Sequence, residues 1–373
     1  MPRLLHSFAS DNYAGVHPDV LASLVSANGG HEIAYGEDSV TEELAALVRG
    51  AFGDDAVAFP CFNGTAANVL SLQAILPPWG AVVCAETAHV HADEGGAPEK
   101  VAGIKLWPVA TRDGKLTPAA LLAQLFDRES VHRAQPCAVT IANTTELGTV
   151  YTPSEVRALA DAAHGAGLLL HMDGARAFNA AAALGAPLRA FTTDAGVDVL
   201  SLGGTKVGAM GAEAVVLLRG GSGSGGGAAA AVAPCGGGGG LAAALPFLRK
   251  SAMQLASKQR FLSAQLAALL RGGLGVRLGA AANARAERLE AGLLPLRPRL
   301  ALPNARQANA VFPVLPRAVI EALLTKFRFY VWNEAAGMVR LMCSWDTTDA
   351  QVDELLAEVR ALLGREEEVA ASK

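Results

Sequence analysis

The sequence predicts an α/β protein whose large domain is built on a mostly parallel sheet, followed by a smaller α+β domain. Two observations indicate this class. From about residue 55 to 220, short runs of almost entirely apolar residues alternate with helix-like segments, a pattern typical of a parallel sheet covered by helices on both faces. After residue 300 the pattern changes to strand, helix, two strands and helix, which is typical of a compact α+β unit.

The apolar runs are the expected strands of the large sheet. In chain order they are VAFP (57–60), AVVCAE (81–86), CAVTIAN (137–143), GLLLHMD (167–173), VDVLSLG (197–203) and EAVVLL (213–218). A helix is expected after residue 152, because Thr152-Pro153-Ser154-Glu155 is a capping box with proline at the first helical position. Its apolar residues have the helical spacing i, i+3, i+4 and i+7, at Val156, Leu159, Ala160 and Ala163.

An interruption and a helical region follow. Residues 220–240 are almost wholly Gly, Ala and Ser, and such a run buries too little apolar area to offset its ordering entropy, so we expect a flexible insertion. Repeated Leu, Ala and Arg predict helices over roughly 245–295. The expected divisions are a large domain over 1–245, connecting helices over 246–300 and a small domain over 301–373. The strands expected in the small domain are 309–315, 327–332 and 337–345.

Composition and charge exclude several classes of protein. With 51% hydrophobic residues, 18% charged residues and a net charge of −4, the chain is neither intrinsically disordered nor equipped with a basic surface for nucleic acid. No run of about eighteen apolar residues lacks charges or glycines, so no membrane span is expected, and the first residues lack the apolar core of a signal peptide. The five cysteines are scattered and never spaced CxxC, which predicts neither a disulfide framework nor a metal site. We therefore expect a cytoplasmic protein.

Three polar segments follow expected strands, where ligands bind in open α/β sheets. The first, residues 62–68, follows VAFP and opens a helix. Gly64 lets a ligand approach the backbone, Asn63 and Thr65 add polar groups, and the free N–H groups of a helix N-terminus bind anions. A strand-to-helix turn capped by polar residues, without any ligand, explains the same pattern.

The second segment, residues 171–176, closes the apolar run that begins at residue 167. Burying the carboxylate of Asp173 at a strand end is costly unless it meets a cation or a hydrogen-bond donor. Such an acid could hold a heterocyclic nitrogen protonated, which is how pyridoxal phosphate becomes an electron sink. A salt bridge between Asp173 and Arg176 is the simpler alternative.

The third segment, residues 201–208, places Lys206 among glycines and apolar residues, directly after Thr205. In such a setting a lysine loses hydration and its pKa falls, so its amine becomes a better nucleophile toward an aldehyde. A solvated lysine in a turn is the alternative.

Taken together, these segments resemble a known family. An anion cradle, a strand-end aspartate and, 33 residues later, a lysine follow in the order seen in fold type I pyridoxal-phosphate enzymes. The wider set of motifs resembles the low-specificity L-threonine aldolases from Ser7 to about Leu363, interrupted by residues 220–240. The motifs are FASDNY (8–13), YGED (35–38), FNGTAAN (62–68), ETAH (86–89), HMDGARAFNA (171–180), GGTKVG (203–208) and MCSWD (342–346).

The resemblance implies a role for each matching residue. The lysine matching Lys206 forms a Schiff base with pyridoxal 5′-phosphate, the aspartate matching Asp173 pairs with the ring nitrogen, and the imidazole matching His89 stacks on the ring. The residues implied at the cofactor phosphate are Asn63, Gly64, Thr65 and Thr205. The residues implied at the substrate carboxylate are Ser10, Arg176 and Arg340, with Arg176 also beside the cofactor. A guanidinium suits this task because its fork binds a carboxylate bidentately, although Arg340 is also explained as a snorkelling surface side chain.

The implied reaction is cleavage of L-threonine, L-allo-threonine and related β-hydroxy-α-amino acids to glycine and an aldehyde. A base must take the β-hydroxyl proton, and His89 and His132 are the candidates because the pKa of imidazole lies near neutrality. His132 matches a second active-site histidine of the family, and a solvated loop histidine is the alternative. Another reaction on the same scaffold, such as alanine racemisation or β-elimination, stays open because the motifs do not report which Cα bond is aligned.

The resemblance also implies an oligomer. Lys250 and Lys258 resemble a segment that reaches the cofactor phosphate of a neighbouring subunit, and Tyr35 resembles a substrate-site residue donated across a dimer interface. Both imply a homodimer, which in this family pairs into a homotetramer.

Overall fold

The sheet and the helices around it are seen in a computed structural model that describes residues 6–219 and 241–371. The insertion predicted at 220–240, which contains Cys235, lies outside the described residues. The other cysteines, Cys61, Cys84, Cys137 and Cys343, are unpaired. Within the described ranges, no helix combines the length and the apolar character that crossing a membrane requires.

The strands build one large sheet and two small ones. In chain order they are β1 (His6–Ser7), β2 (Val57–Cys61), β3 (Gly80–Ala85), β4 (Lys105–Val109), β5 (Gln135–Ala142), β6 (Leu169–Gly174), β7 (Val199–Gly203), β8 (Glu213–Leu217), β9 (Ala310–Val311), β10 (Phe327–Arg328), β11 (Tyr330–Asn333) and β12 (Met338–Met342). Seven of them form the central sheet in the order β4-β3-β5-β6-β7-β8-β2. β8 is antiparallel to both of its neighbours and the remaining pairs are parallel, which confirms the predicted mostly parallel sheet. Because β8 is also buried along its whole length, the apolar runs report burial rather than strand direction.

Helices connect the strands and cover the sheet. They are α1 (Pro18–Ser26), α2 (Ser39–Phe52), α3 (Gly64–Ile75), α4 (His89–Ala92), α5 (Ala97–Val101), α6 (Pro118–Leu122), α7 (Pro153–Gly165), α8 (Ala177–Leu184), α9 (Leu241–Ser251), α10 (Arg260–Leu270), α11 (Leu274–Leu293), α12 (Arg317–Leu324) and α13 (Asp349–Ala371). The predicted capping box is confirmed, since Thr152 and Glu155 bond reciprocally and α7 begins at Pro153. The buried residues of α7 are the predicted Val156, Leu159, Ala160 and Ala163.

The region predicted as helical over roughly 245–295 consists of α9, α10 and α11, separated by short non-α segments. α10 packs against α1 and α2, and α11 packs along α8. α11 belongs to two cores, because Leu274 and Leu278 lie in the core of the large domain whereas Leu289 and Leu293 lie in that of the small domain. The two domains therefore share one continuous helix.

The small domain takes residues from both ends of the chain. β11, β12 and β9 form a three-stranded antiparallel sheet, and β10 pairs in parallel with β1. Phe8 is buried in the core of this domain, as are Leu289 and Leu293 of α11. The expected division at 301–373 leaves these residues out, because a sequence pattern shows an apolar face but not which distant segment covers it.

The carboxyl ends of β5, β6 and β7 form the edge at which the polar segments meet. The approach of two loops here depends on Gly203, since a Cβ at this position would lie 2.6 Å from the Cα of Ala175. A side chain cannot fit at that distance. The segments that carry Arg176 and Lys206 therefore lie side by side.

Candidate active site

A cavity of about 400 Å³ opens at this edge of the sheet, within the size range of small-molecule sites. The residues that sequence analysis placed together and that line this cavity are Asn63, Gly64, Thr65, His89, Asp173, Arg176, Thr205 and Lys206. Further polar residues of its wall are Asn12, Asn68, Glu94, Thr144, Glu146, Ser201 and Glu213. The fold thus brings most of the predicted site residues together around one cavity.

Lys206 extends into the cavity from the turn after β7 and is half-buried. No described residue lies within hydrogen-bond or ion-pair distance of its ammonium group. Burial and the positive charge of Arg176 lower the pKa of Lys206, against the opposing effect of carboxylates such as Asp11 and Asp173. The solvated turn lysine is therefore excluded, and the amine is available as a nucleophile.

Asp173 ends β6 with its carboxylate buried. One oxygen accepts the N–H of Ala175 at 2.9 Å, and the other accepts the side-chain amide of Asn68 at 2.9 Å. Burial acts to raise the pKa of Asp173, but the charge of Lys206 and these donors hold it below its usual value. A salt bridge between Asp173 and Arg176, the simpler alternative, is excluded as well, because Arg176 forms its salt bridge with Asp11.

His89 begins α4 and is oriented by a second buried acid. Its Nδ1 lies 2.9 Å from Oε1 of Glu94, which also accepts the amide of Asn68 at 2.8 Å. The hydrogen bond to Glu94 raises the pKa of His89, while burial raises the pKa of Glu94. The side-chain amide of Asn68 thus donates to both buried acids and links Glu94 to Asp173.

The N-terminus of α3 forms one end of the cavity. Asn63 caps the helix by accepting the N–H of Ala66 at 2.9 Å, while the first N–H groups, of Gly64 and Thr65, have no partner within the helix. A Cβ at Gly64 would meet nothing within 4 Å. An anion can therefore come close to this backbone, where the helix dipole favours negative charge.

The turn that carries Lys206 is held by Glu213 at the start of β8. The Glu213 carboxylate accepts the N–H groups of Gly204 at 3.0 Å and Thr205 at 3.3 Å. Burial raises the pKa of Glu213 to about 7. Thr205 is therefore fixed at the cavity wall, next to the lysine.

Two arginines, Arg176 and Arg340, lie close to the small domain. Arg176 donates through Nε and Nη2 to both oxygens of Asp11, at 2.7 and 3.0 Å, and Asn309 donates to the same carboxylate at 3.1 Å. Because this pair occupies one edge of the guanidinium, the other edge, formed by Nη1 and the second N–H of Nη2, is left for a ligand.

Arg340 on β12 is half-buried and lies near Arg176. Its Nη2 donates to the carbonyl of Ala9 at 3.0 Å, and its Nε is buried without a partner. Burial and the charge of Arg176 lower the pKa of Arg340. Although it is not among the cavity-lining residues, Arg340 is not a snorkelling surface side chain.

Other predicted residues lie outside this cavity. Ser10 caps the turn beside Asp11 by accepting the N–H of Asn12 at 3.2 Å, and Tyr35 is 49% exposed. His132 is exposed in the loop before β5. A residue that precedes a parallel strand lies at the edge of the sheet opposite the carboxyl ends, so the expectation that His132 joins the site of its own chain is wrong.

Sequence analysis missed several residues of the site. Asn68 lies four residues after Gly64 and therefore on the same face of α3, a spacing that was available as a signal. Glu94 and Glu146 lie in irregular segments after β3 and β5, where no periodicity marks them. Only the fold brings them to the cavity.

Comparisons with known proteins agree with this geometry. The family model described as beta-eliminating lyase matches residues 7–316. The chain is 41% identical over 358 residues to the low specificity L-threonine aldolase of Pseudomonas sp. (strain NCIMB 10558), covering 95% of this chain and 97% of that protein. It is also 41% identical over 359 residues to the enzyme of that name from Pseudomonas aeruginosa, with coverage of 96% and 98%. A solved structure of Leishmania major threonine aldolase superimposes with a TM-score of 0.85 at 28% identity, covering 96% of this chain and 99% of that one.

Proposed function

This chain belongs to the beta-eliminating lyase family, and on that basis we propose that its cavity cleaves L-threonine, L-allo-threonine and related β-hydroxy-α-amino acids to glycine and an aldehyde. The activity is that of an aldehyde lyase dependent on pyridoxal 5′-phosphate, on a fold type I scaffold. Likeness to L-threonine aldolases along nearly the whole chain favours this reaction over racemisation or β-elimination.

The cavity fits pyridoxal phosphate at three points. The buried carboxylate of Asp173 suits a protonated ring nitrogen, the amine of Lys206 suits the aldehyde, and the open approach at Gly64 suits the phosphate. When bound, the cofactor supplies an electrophilic carbon for the substrate amine and a ring that takes up the electron pair released at Cα. The observation that carries the proposal is that one cavity holds an unpaired, half-buried lysine and a buried aspartate.

The residues around these points orient the substrate. Arg340 and the free edge of the Arg176 guanidinium are suited to hold the substrate carboxylate, with Ser10 close by in the N-terminal segment. Holding the carboxylate would fix rotation about the Cα–N bond of the substrate, and this torsion decides which bond to Cα is aligned for cleavage. His89, fixed by Glu94, is suited to stack on that ring.

Product analysis tests the proposed reaction. We expect the purified protein with its cofactor to convert L-threonine and L-allo-threonine to equal amounts of glycine and acetaldehyde, because the breaking bond joins Cα to Cβ. Chromatography of the amino acids and an aldehyde assay measure both products. L-Alanine serves as the control, and formation of D-alanine, or of a keto acid from L-serine, without glycine from threonine would identify a different reaction.

The carboxylate clamp is tested by Arg340→Lys, which keeps the charge but loses the fork. We expect kcat/KM for L-threonine to fall about 100-fold, or about 2.7 kcal/mol, with the visible absorbance of the bound cofactor retained. Arg317→Lys on α12, where the side chain is exposed and pairs only with Glu321, is the matched control. Unchanged kinetics in Arg340→Lys would place the substrate carboxylate elsewhere.

We also propose that the active unit is a homodimer, with homotetramers formed from it. Tyr35 and Lys250, far apart in sequence, meet on one surface, where the lysine ammonium lies 4.9 Å from the tyrosine ring centroid. Exposed apolar side chains lie close by: Phe62 and Met210 line one groove with Lys258, and the N–H of Phe62 donates to Gln254, next to the exposed Met253. Monomers seldom expose such patches.

Co-expression of two variants, each impaired alone, tests whether Tyr35 contributes to the active site of the partner subunit. We expect Tyr35→Ala and Lys206→Ala proteins, each impaired alone, to regain activity when co-expressed, because a mixed dimer holds one site with both native residues. Random pairing restores roughly a quarter of the sites in a two-fold dimer. Light scattering gives the assembly mass. Absence of any recovery, with mixed dimers demonstrated, would assign Tyr35 to its own chain.

A further inference from the structure

Glu146 is an acidic side chain of the cavity wall to which the proposed mechanism gives no task. It lies in the loop after β5, and its Oε1 accepts the backbone N–H of His89 at 3.0 Å. It lines the cavity together with Thr144, Asn12 and Arg176. No described side chain donates a hydrogen bond to its carboxylate, whose donors are the backbone N–H groups of His89 and of Glu146 itself.

The loop that carries Glu146 is held in place at several points. Thr145 and Thr149 bond through their hydroxyls at 2.6 Å and through the backbone at 2.9 Å, which closes a tight turn around the glutamate. The turn packs on the small domain at Gly148, where a Cβ would lie 3.2 Å from Phe312. A carboxylate positioned in this way has little freedom to lose when a substrate binds.

The competing proton acceptor is His89. Its Nδ1 is committed to Glu94 at 2.9 Å, and this hydrogen bond raises the pKa of His89. Nε2 is then the ring atom left to accept a proton, and the Glu146→Gln measurements below distinguish His89 from Glu146. The second candidate, His132, does not line the cavity of its own chain, as described above.

We propose that the carboxylate of Glu146 takes the proton from the substrate β-hydroxyl as the Cα–Cβ bond breaks. This inference rests on the proposed function. The O–H electron pair becomes part of the aldehyde carbonyl, and the Cα–Cβ pair stays with the glycine half, for which the cofactor, when bound, would supply an electron sink. Glu146 then passes its proton to solvent while Cα gains one, so that no net proton is released or consumed.

The charges around Glu146 are consistent with a base that works near neutral pH. Burial and the negative charge of Asp173 raise the pKa of Glu146 to about 7, while the charge of His89 acts in the opposite direction. Arg176 faces it with a positive charge. The thiol of Cys84 and the phenol of Tyr151 are the other titratable neighbours, and burial keeps both neutral. Since only the ionised carboxylate accepts a proton, cleavage is expected to rise with pH through about 7.

Glu146→Gln tests this assignment against a structural role. We expect kcat/KM for L-threonine cleavage to fall by about 100- to 1,000-fold, the range of general-base catalysis, and the limb of the pH profile near neutrality to disappear. Exchange of the glycine α-proton with solvent, which needs no β-hydroxyl base, should persist at the parent rate. In the protein without substrate, infrared difference spectra should show carboxylic-acid absorption that titrates near pH 7 from Glu146 and Glu213, and the variant should lack the part that comes from Glu146.

Two further variants make the result decisive. Glu146→Asp keeps a carboxylate that titrates but moves it one methylene away from the cavity. The pH dependence near neutrality should therefore return, with slower cleavage than in the parent protein. Glu86→Gln removes a carboxylate that follows β3 without lining the cavity, and it should leave both reactions unchanged. Equal loss of cleavage and glycine exchange in Glu146→Gln, or unaltered cleavage with its pH limb intact, would overturn the proposal. A parent protein that cleaves no β-hydroxy amino acid would instead refute the proposed function, and the inference with it.

Discussion

Lys206→Ala is expected to fold normally, to lose the visible absorbance of a lysine–pyridoxal Schiff base, and to reduce threonine cleavage by about 10,000-fold or more. Normal folding follows from the structure, because no described residue bonds to the ammonium group and burial disfavours its charge. The loss of function follows because the alanine methyl cannot bond to the cofactor aldehyde. Absorbance, steady-state kinetics and the thermal unfolding midpoint measure the three effects.

The control for this variant is Lys105→Ala, which removes an exposed lysine at the start of β4. It should match the parent protein in all three measurements. Turnover in Lys206→Ala close to that of the parent would contradict the assignment of this residue. An unfolded variant would contradict the claim that the lysine has no structural task.

Asp173→Asn has the second largest expected effect. The neutral amide cannot stabilise a positive charge on the cofactor ring, and breaking a buried charge pair on one side costs several kcal/mol. The amide nitrogen would also face one of the two donors that the carboxylate now accepts, the N–H of Ala175 or the side-chain amide of Asn68, both at 2.9 Å. We expect kcat/KM for L-threonine to fall about 1,000-fold, or about 4 kcal/mol, with weaker retention of the cofactor on dialysis.

Asp198→Asn is the matched control for this substitution. Asp198 is another buried carboxylate beside a histidine, 2.8 Å from His164, but it lies just before β7 and does not line the cavity. Its loss should lower the unfolding midpoint without changing cofactor retention. Parent-like kinetics in Asp173→Asn would mean that the ring nitrogen is held in another way.

Sequence patterns predicted the parts of the fold that depend on local chemistry. The apolar runs located six of the seven strands of the central sheet to within a few residues but missed the edge strand β4, and the capping box located the start of α7 at Pro153. They did not reveal that β8 is antiparallel or that Phe8 completes the small core. Strand direction and distant packing partners are settled by the whole chain, so no local pattern carries them.

The same limit applies to the candidate site. Asp173 and Lys206 were predicted because their surroundings in sequence already make a charge costly, and both line the cavity. His132 was placed there by a match to a family position, whereas the topology puts it at the opposite edge of the sheet. Glu146 comes fourteen positions after His132. It follows β5, whereas His132 precedes this strand, and its side chain lines the cavity. Its role depends on contacts with His89 that only the folded chain creates.

The central claim is that Lys206 holds pyridoxal phosphate in this cavity. Borohydride reduces a Schiff base irreversibly, so the purified protein can be treated with it, digested and examined by mass spectrometry. We predict a pyridoxyl group on the peptide that contains Lys206, together with loss of the visible absorbance and of threonine cleavage. A cofactor label on another lysine, or no label in a protein that still cleaves threonine, would contradict the account.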